Sequence, residues 1–299
     1  MELSEVLKEM NISNYTIQNE KGFDTLGLIA SVTDLPMCTF LDNEKYINEI
    51  PENVIMLITT KDISLEISSD NYGVCIVDSP RLIFFNIHNF LSCNKDYSRK
   101  KYATVIGKDC SISSHALISD NNVIIGDNVT IEEFVSIKEN TVIGDGTIIR
   151  AGSVVGGEGF EFKRMEDSIL GVKHLGGVRI GQNVEIQYNT CIDKAVYPWD
   201  DTIIGDNSKI DNLVHIAHSV KINKNTMVVA LSGVGGRTII GENSWIGFGA
   251  TVTNGIKIGK DTRVNIGAVV TKSIDDGQSV SGNFAIDHKK FIEFIKSIR

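Results

Sequence analysis

The chain of 299 residues is 42% hydrophobic and 22% charged with 4 prolines, enough to bury one large core or two modest ones. Its net charge of −9, with no basic run longer than Arg99-Lys100-Lys101, argues against a nucleic-acid surface, which needs clustered positive charge. No apolar stretch approaches the roughly 18 residues that span a bilayer. The acidic start MELSEVLKEMNI is unlike a signal peptide, and five cysteines without CxxC spacing (Cys38, Cys75, Cys93, Cys110, Cys191) predict reduced thiols in a cytoplasmic protein.

In chain order, residues 1–102 mix helical pattern at 4–10 and 43–49 with the β-rich runs NVIMLITT (53–60) and YGVCIVD (72–78). They predict a small α/β domain. A period of six then begins at Ile106, Ile112 and Ile118, and continues one residue out of phase at Ile125, Ile131, Ile137, Ile143, Ile149 and Val155. Residues 157–177, GEGFEFKRMEDSILGVKHLGG, interrupt it. Stepping by six from Ile180 to Val270 gives 16 positions, every one Ile or Val except Pro198. The fifth place of each hexad is small or β-branched in most steps, as at Ser208, Val214, Val220, Thr226, Ser232, Thr238, Ser244 and Ala250.

A period of six fits neither a 3.6-residue helix nor a two-residue strand; it fits a β-solenoid with one hexad on each side of a triangular coil. The aliphatic anchor points inward, the small residue lets the chain turn, and coils stack about 4.8 Å apart. Residues i and i+18 then lie one rung apart on the same face. Eight or nine coils are expected over 103–274. The insertion is expected to be a loop thrown out from one corner, and long ordered loops usually cover binding sites. In the tail, 275–299, the stripe Phe291, Phe294, Ile295, Ile298 predicts a helix that caps the last coil.

The densest polar chemistry on the coils lies in IDNLVHIAHSVK (210–221), where Asp211, Asn212, His215 and His218 fall within eight residues. Neither histidine occupies an inward anchor position. One rung beyond His218 is Gly236, in the run Ser232-Gly-Val-Gly-Gly236, where a substrate can approach the main chain closely. An imidazole one rung from a backbone N–H is the minimum apparatus for acyl transfer: a base for the attacking group and a donor for the oxyanion. Two other classes use the same features. One is a metal-dependent lyase of the γ-carbonic anhydrase type, with His215 and His218 as ligands, although no carboxylate or cysteine is spaced to complete a metal set. The other is a non-enzymatic solenoid, which would call for a regular outward ladder rather than these irregular outward positions.

The segments GGEGFEF (156–162), VKHLGGVRIGQNVEI (172–186), TCIDK (190–194), DDTIIGD (200–206) and above all IDNLVHIAH resemble the UDP-3-O-acylglucosamine N-acyltransferases of lipid A biosynthesis. FLDNEKY (40–46) is similar to that family's uridine-binding motif, and residues 72–91 to the strand and helix after it. The resemblance implies a left-handed parallel β-helix assembled as a homotrimer, with a thioester of coenzyme A or acyl carrier protein as co-substrate and no prosthetic group. It implies that Phe40 and Tyr46 sandwich the base of a nucleotide-linked amino sugar while Asn43 reads an edge. It makes His218 the catalytic base and Gly236 the oxyanion amide. Asp211, Asn212 and His215, with Glu158, Phe160 and Lys173 of the insertion, are expected to line the substrate or thioester cleft. Several positions depart from the family. Ile256 follows Asn254-Gly255 where the family has a second functional histidine, His215 stands for a glutamine, and Val269 for a methionine at the floor of the acyl channel. These departures point toward acylation of another nucleotide-linked amino sugar for surface glycans.

Overall fold

The structure is a computed structural model and describes residues 1–67, 71–282 and 284–298. Its first part is a five-stranded sheet ordered Thr16–Gln18, Gly73–Ile76, Val54–Thr59, Met37–Leu41, Thr25–Leu26, with all but the first strand parallel. The NVIMLITT run becomes the central strand because its side chains are buried on both faces, as parallel strands require. Helices α1 (Leu3–Glu9), α2 (Lys61–Ser64) and α3 (Pro80–Leu91) accompany the sheet. The helical pattern at 43–49 closes as a 3₁₀ turn, Glu44–Glu49, capped by Asn43, whose side chain accepts from the Lys45 N–H at 3.1 Å. The core of this part includes Leu3, Phe23, Phe84 and Leu91 and extends into Val172, Val196 and Tyr197 of the solenoid's loops.

From Val105 the chain winds into the expected parallel β-solenoid, whose three faces hold nine, eight and eight strands among the described residues. Hexad anchors such as Ile186, Ile204, Ile216, Ile222, Ile240 and Ile258 are fully buried and form one continuous column. The small fifth residues do more than allow the turn. Thr226, Ser232, Thr238 and Ser244 are buried and donate to the carbonyls of Gly241, Gly247, Thr253 and Gly259 on the next rung, at 2.8–3.1 Å. A buried corner carbonyl left unpaired would cost about 1–3 kcal/mol, so a small hydroxyl suits this position better than an aliphatic of equal size.

Spacing between rungs is 18 residues over most of the solenoid, as for His215 and Gly233. It is 19 at the first rung, where Ile106 pairs with Ile125, which accounts for the early phase slip. It becomes 37 between Val142 and Arg179, and 24 between Arg179 and Ile203. Two loops therefore leave the same corner in successive coils. The first carries a hairpin, Phe162–Arg164 against Ile169–Gly171. The second runs from Lys194 to Asp200 and contains Pro198, so the single exception in the six-residue series is a loop residue and occupies no coil position.

The tail forms helix α4 (His288–Ser297), capped by Asp287, but none of its described residues is buried. Phe291, Phe294 and Ile298 stay exposed, so α4 does not cap the last coil as expected. Among the described residues no helix is long and apolar enough to cross a membrane.

Candidate active site

The corner from which both loops emerge gathers the polar chemistry. His218 lies at this corner because it follows the strand His215–Ile216 and precedes Ser219, whose φ of +61° turns the chain toward the next face. Its ring is buried beneath the first loop, and its Nε2 lies 3.1 Å from Oε2 of Glu161, itself buried. Glu161 also meets the Lys163 ammonium and, at 3.4 Å, the Arg237 guanidinium. Burial pushes the Glu161 carboxyl up, but the hydrogen bonds from His218 and Lys163 and the charges of Lys163 and Arg237 outweigh it and hold the group well below the usual carboxylate range. The His174 ring stands edge-on to that of His218, with centroids 5.6 Å apart. Burial, then the neighbouring His218, pushes His174 down from its ordinary value. Among the described residues, Nδ1 of His218 and both nitrogens of His174 are buried without a hydrogen-bond partner.

Gly236 lies directly under the His218 ring. A Cβ there would stand 2.7 Å from Nε2, so the ring can occupy its place only above a glycine. Gly236 also presents a free donor. At equivalent corner positions elsewhere a side chain from the next rung takes the N–H: Asp206 accepts from Gln182 at 2.7 Å, and Asn212 from Tyr188 at 3.1 Å. Among the described residues the Gly236 N–H has neither such a side chain nor a backbone acceptor.

The other expected residues fall into three groups. His215 points outward on the adjacent face, where Asp193, the last residue of the strand Cys191–Asp193, accepts from its Nε2 at 3.0 Å and raises its affinity for a proton. Asp193 also lies beside Gly159, where a Cβ would meet both its Oδ2 (3.1 Å) and Nε2 of His174 (2.9 Å). Glu158, Phe160 and Lys173 line one cleft of about 500 Å³ with Phe162 and Val172. Glu158 faces Lys194 at 3.3 Å, and Phe160 is 85% exposed. Lys173 ties the loop to α3: its N–H and Nζ donate to Asn89 and Ser92, and its carbonyl accepts from His88 at 2.9 Å. Asp211 and Asn212 are not brought to His218. They sit at a different corner, where the Asp211 carboxylate accepts from the N–H groups of Asn212 and Ala230.

Phe40, next to last in its strand, packs on Phe84 and Phe85 with centroids 5.1 and 6.0 Å away, and Arg81 lies over its ring. The Tyr46 ring, 36% exposed, carries the Lys45 ammonium. Phe85 in turn lies 4.4 Å from the Lys163 ammonium. An unbroken chain of contacts thus runs from Phe40 through Phe85, Lys163 and Glu161 to His218.

Sequence reasoning missed Glu161, Lys163, His174, Asp193 and Arg237. Four of the five lie within or beside the quoted segments GGEGFEF, VKHLGG and TCIDK, yet no periodicity marks Glu161, Lys163 and His174 on their loop, while Asp193 ends the strand Cys191–Asp193 and Arg237 stands one rung from Ser219, both at coil positions that the reading passed over. Among the described residues no three His, Cys, Asp or Glu side chains are arranged to hold a metal ion.

Residues 122–157 and 201–236 match the family described as bacterial transferase hexapeptide (six repeats). A UDP-3-O-acylglucosamine N-acyltransferase of Acidovorax sp. (strain JS42) is 48% identical over 67 residues, 22% of this chain and 20% of that protein. The protein of the same name from Saccharophagus degradans is 52% identical over 67 residues, 22% of this chain and 19% of its own. The matched stretch thus spans about a fifth of the length of these curated relatives. Among solved structures, a UDP-N-acetylglucosamine acyltransferase from Campylobacter jejuni superposes with a TM-score of 0.55 at 21% identity, over 66% of this chain and 79% of that one. LpxA from Bacteroides fragilis, a UDP-N-acetylglucosamine acyltransferase, gives 0.51 at 24%, over 60% and 66%. At these identities the structural likeness is one of fold.

Proposed function

We propose that this chain transfers an acyl group from a thioester to the amine of a nucleotide-linked amino sugar. The observation that carries the reading is the buried imidazole of His218 stacked on Gly236, whose N–H is left unclaimed. The local identity to N-acyltransferases supports it. In the proposed reaction the substrate amine forms a C–N bond to the thioester carbonyl and gives its proton to His218, while the Gly236 N–H receives the charge on the carbonyl oxygen. The C–S bond then breaks, and the departing thiolate takes the proton from the imidazolium. The products are an amide and a free thiol. A thioester is already activated, so the step requires no prosthetic group.

In this reading Phe40 and Tyr46 hold the base of the nucleotide and Asn43 contacts its edge. Glu158, Phe160 and Lys173 line the cleft for the sugar or thioester arm, with His215 at its border. The working unit is a homotrimer, in which Asp211 and Asn212 of one protomer approach a neighbour's site. An exposed apolar corner supports assembly: Leu213, Leu231, Phe248 and Ile266 project from successive coils, and Phe134 from an earlier one. Five free cysteines, two of them buried, suit action in the cytoplasm.

The test is thiol release from acyl-coenzyme A and from acyl carrier protein, with a panel of UDP- and dTDP-linked amino sugars as acceptors. Release that depends on one acceptor and falls about 10²–10⁴-fold in His218→Ala is the expected result. Undiminished release in the variant would remove His218 from the chemistry.

A further inference from the structure

Glu161 comes from a loop that breaks the repeat, carries charge into a nearly dry corner, and belongs to none of the roles assigned above. We infer that Glu161 is the positioning residue that decides which nitrogen of His218 is the base: its carboxylate holds the Nε2–H and leaves Nδ1 as the atom that takes the proton of the substrate. The inference rests on the acyltransferase reading.

The argument is one of donors and acceptors. An ionised carboxylate only accepts, so the imidazole nitrogen 3.1 Å from Glu161 Oε2 carries a hydrogen. A neutral imidazole has one N–H, and fixing it at Nε2 leaves the lone pair on Nδ1. That atom is buried and has no partner among the described residues. A buried acceptor without a donor calls for an explanation, and a substrate N–H arriving during the reaction supplies one. Two cations keep Glu161 in the accepting state: Lys163 on the same loop and Arg237 on the rung beside His218. Lys163 is also the group that lies over Phe85 in the sheet part. The nitrogen selected for catalysis therefore depends on the loop being seated against α3.

A purely structural Glu161, clamping the loop to Arg237, would leave the tautomer and the turnover chemistry of His218 untouched. Long-range ¹⁵N–¹H correlation spectra of protein labelled at its six histidines separate the two tautomers, and His218→Ala identifies the signal. Protonated Nε2 with a bare Nδ1 is expected, and the opposite tautomer overturns the inference. In Glu161→Gln the tautomer should redistribute and kcat should fall about 10²–10⁴-fold, with KM for both substrates within about threefold. An unchanged kcat beside an inactive His218→Ala would defeat this inference alone. An active His218→Ala would instead defeat the reading beneath it. If a thermal scan shows that Glu161→Gln does not fold, the tautomer of the unmodified protein decides.

Discussion

Gly236 lacks a side chain because His218 occupies the space one would need. Replacing it with alanine places a methyl group 2.7 Å from Nε2, so the imidazole must swing away from Glu161 while the backbone, free of any positive φ at this residue, keeps its path. Misplacing a catalytic group by about 1 Å can cost about 10²-fold in rate. Gly236→Ala is therefore expected to lose about that factor in kcat with an unchanged thermal midpoint, and full activity would show that the ring position is not critical. His218 and Gly236 were legible in the sequence because both lie on coils, where an 18-residue step converts numbering into distance. Glu161 and His174 were not, because they arrive on a loop whose path is set by what it packs against. Asp211 and Asn212 show what closeness along the chain does not give within one protomer. Their closeness to His218 along the chain suggested a shared site, but six residues of solenoid carry the chain to another corner, where these side chains hold the turn together.

At the scale of elements, the first loop and helix α3 are joined through His88. Its Nδ1 accepts from the Tyr97 hydroxyl at 3.0 Å, and its Nε2–H donates to the Lys173 carbonyl. Burial lowers the pKa of His88 to about 4, so the folded protein keeps it neutral. In the unfolded chain it titrates near the ordinary value of about 6.5. The unfolded state therefore binds the proton more readily. This contribution to stability is complete above about pH 6.5 and is lost as the pH falls toward 4, to a limit of about 3 kcal/mol. Urea unfolding at pH 7 and pH 4.5 should show the loss, and His88→Gln should show a smaller difference between the two. Equal sensitivity in both proteins would place the acid-labile group elsewhere. Helix α4 was correctly read as a helix from its 3.6-residue stripe, but the stripe could not say what it faces.

Across the whole molecule, the corners of the solenoid differ in kind. One is laced by asparagines, with Asn207, Asn225 and Asn243 each donating to the residue on the rung above. Another places Leu213 and Leu231 at φ of +58° and +61°, a conformation that costs a branched residue about 1–2 kcal/mol, and leaves both side chains exposed. In the proposed trimer, burial of this corner against the other copies would offset the strain. The double variant Leu213→Glu, Leu231→Glu is expected to sediment as a monomer where the unmodified protein sediments as a trimer. A monomeric unmodified protein would end that expectation.

The sequence by itself determined the solenoid, its coil length, the inward column and the two residues at the heart of the proposed site. Each of these follows from local periodicity, and stacking repeats it without reference to distant parts of the chain. The tertiary structure alone decided which loop residues surround His218, that Pro198 lies off the coils, and that Phe85 and Lys163 link the sheet to the site. Those contacts join segments far apart in the chain, and their energies come from burial and charge pairing that exist only once the loops have docked.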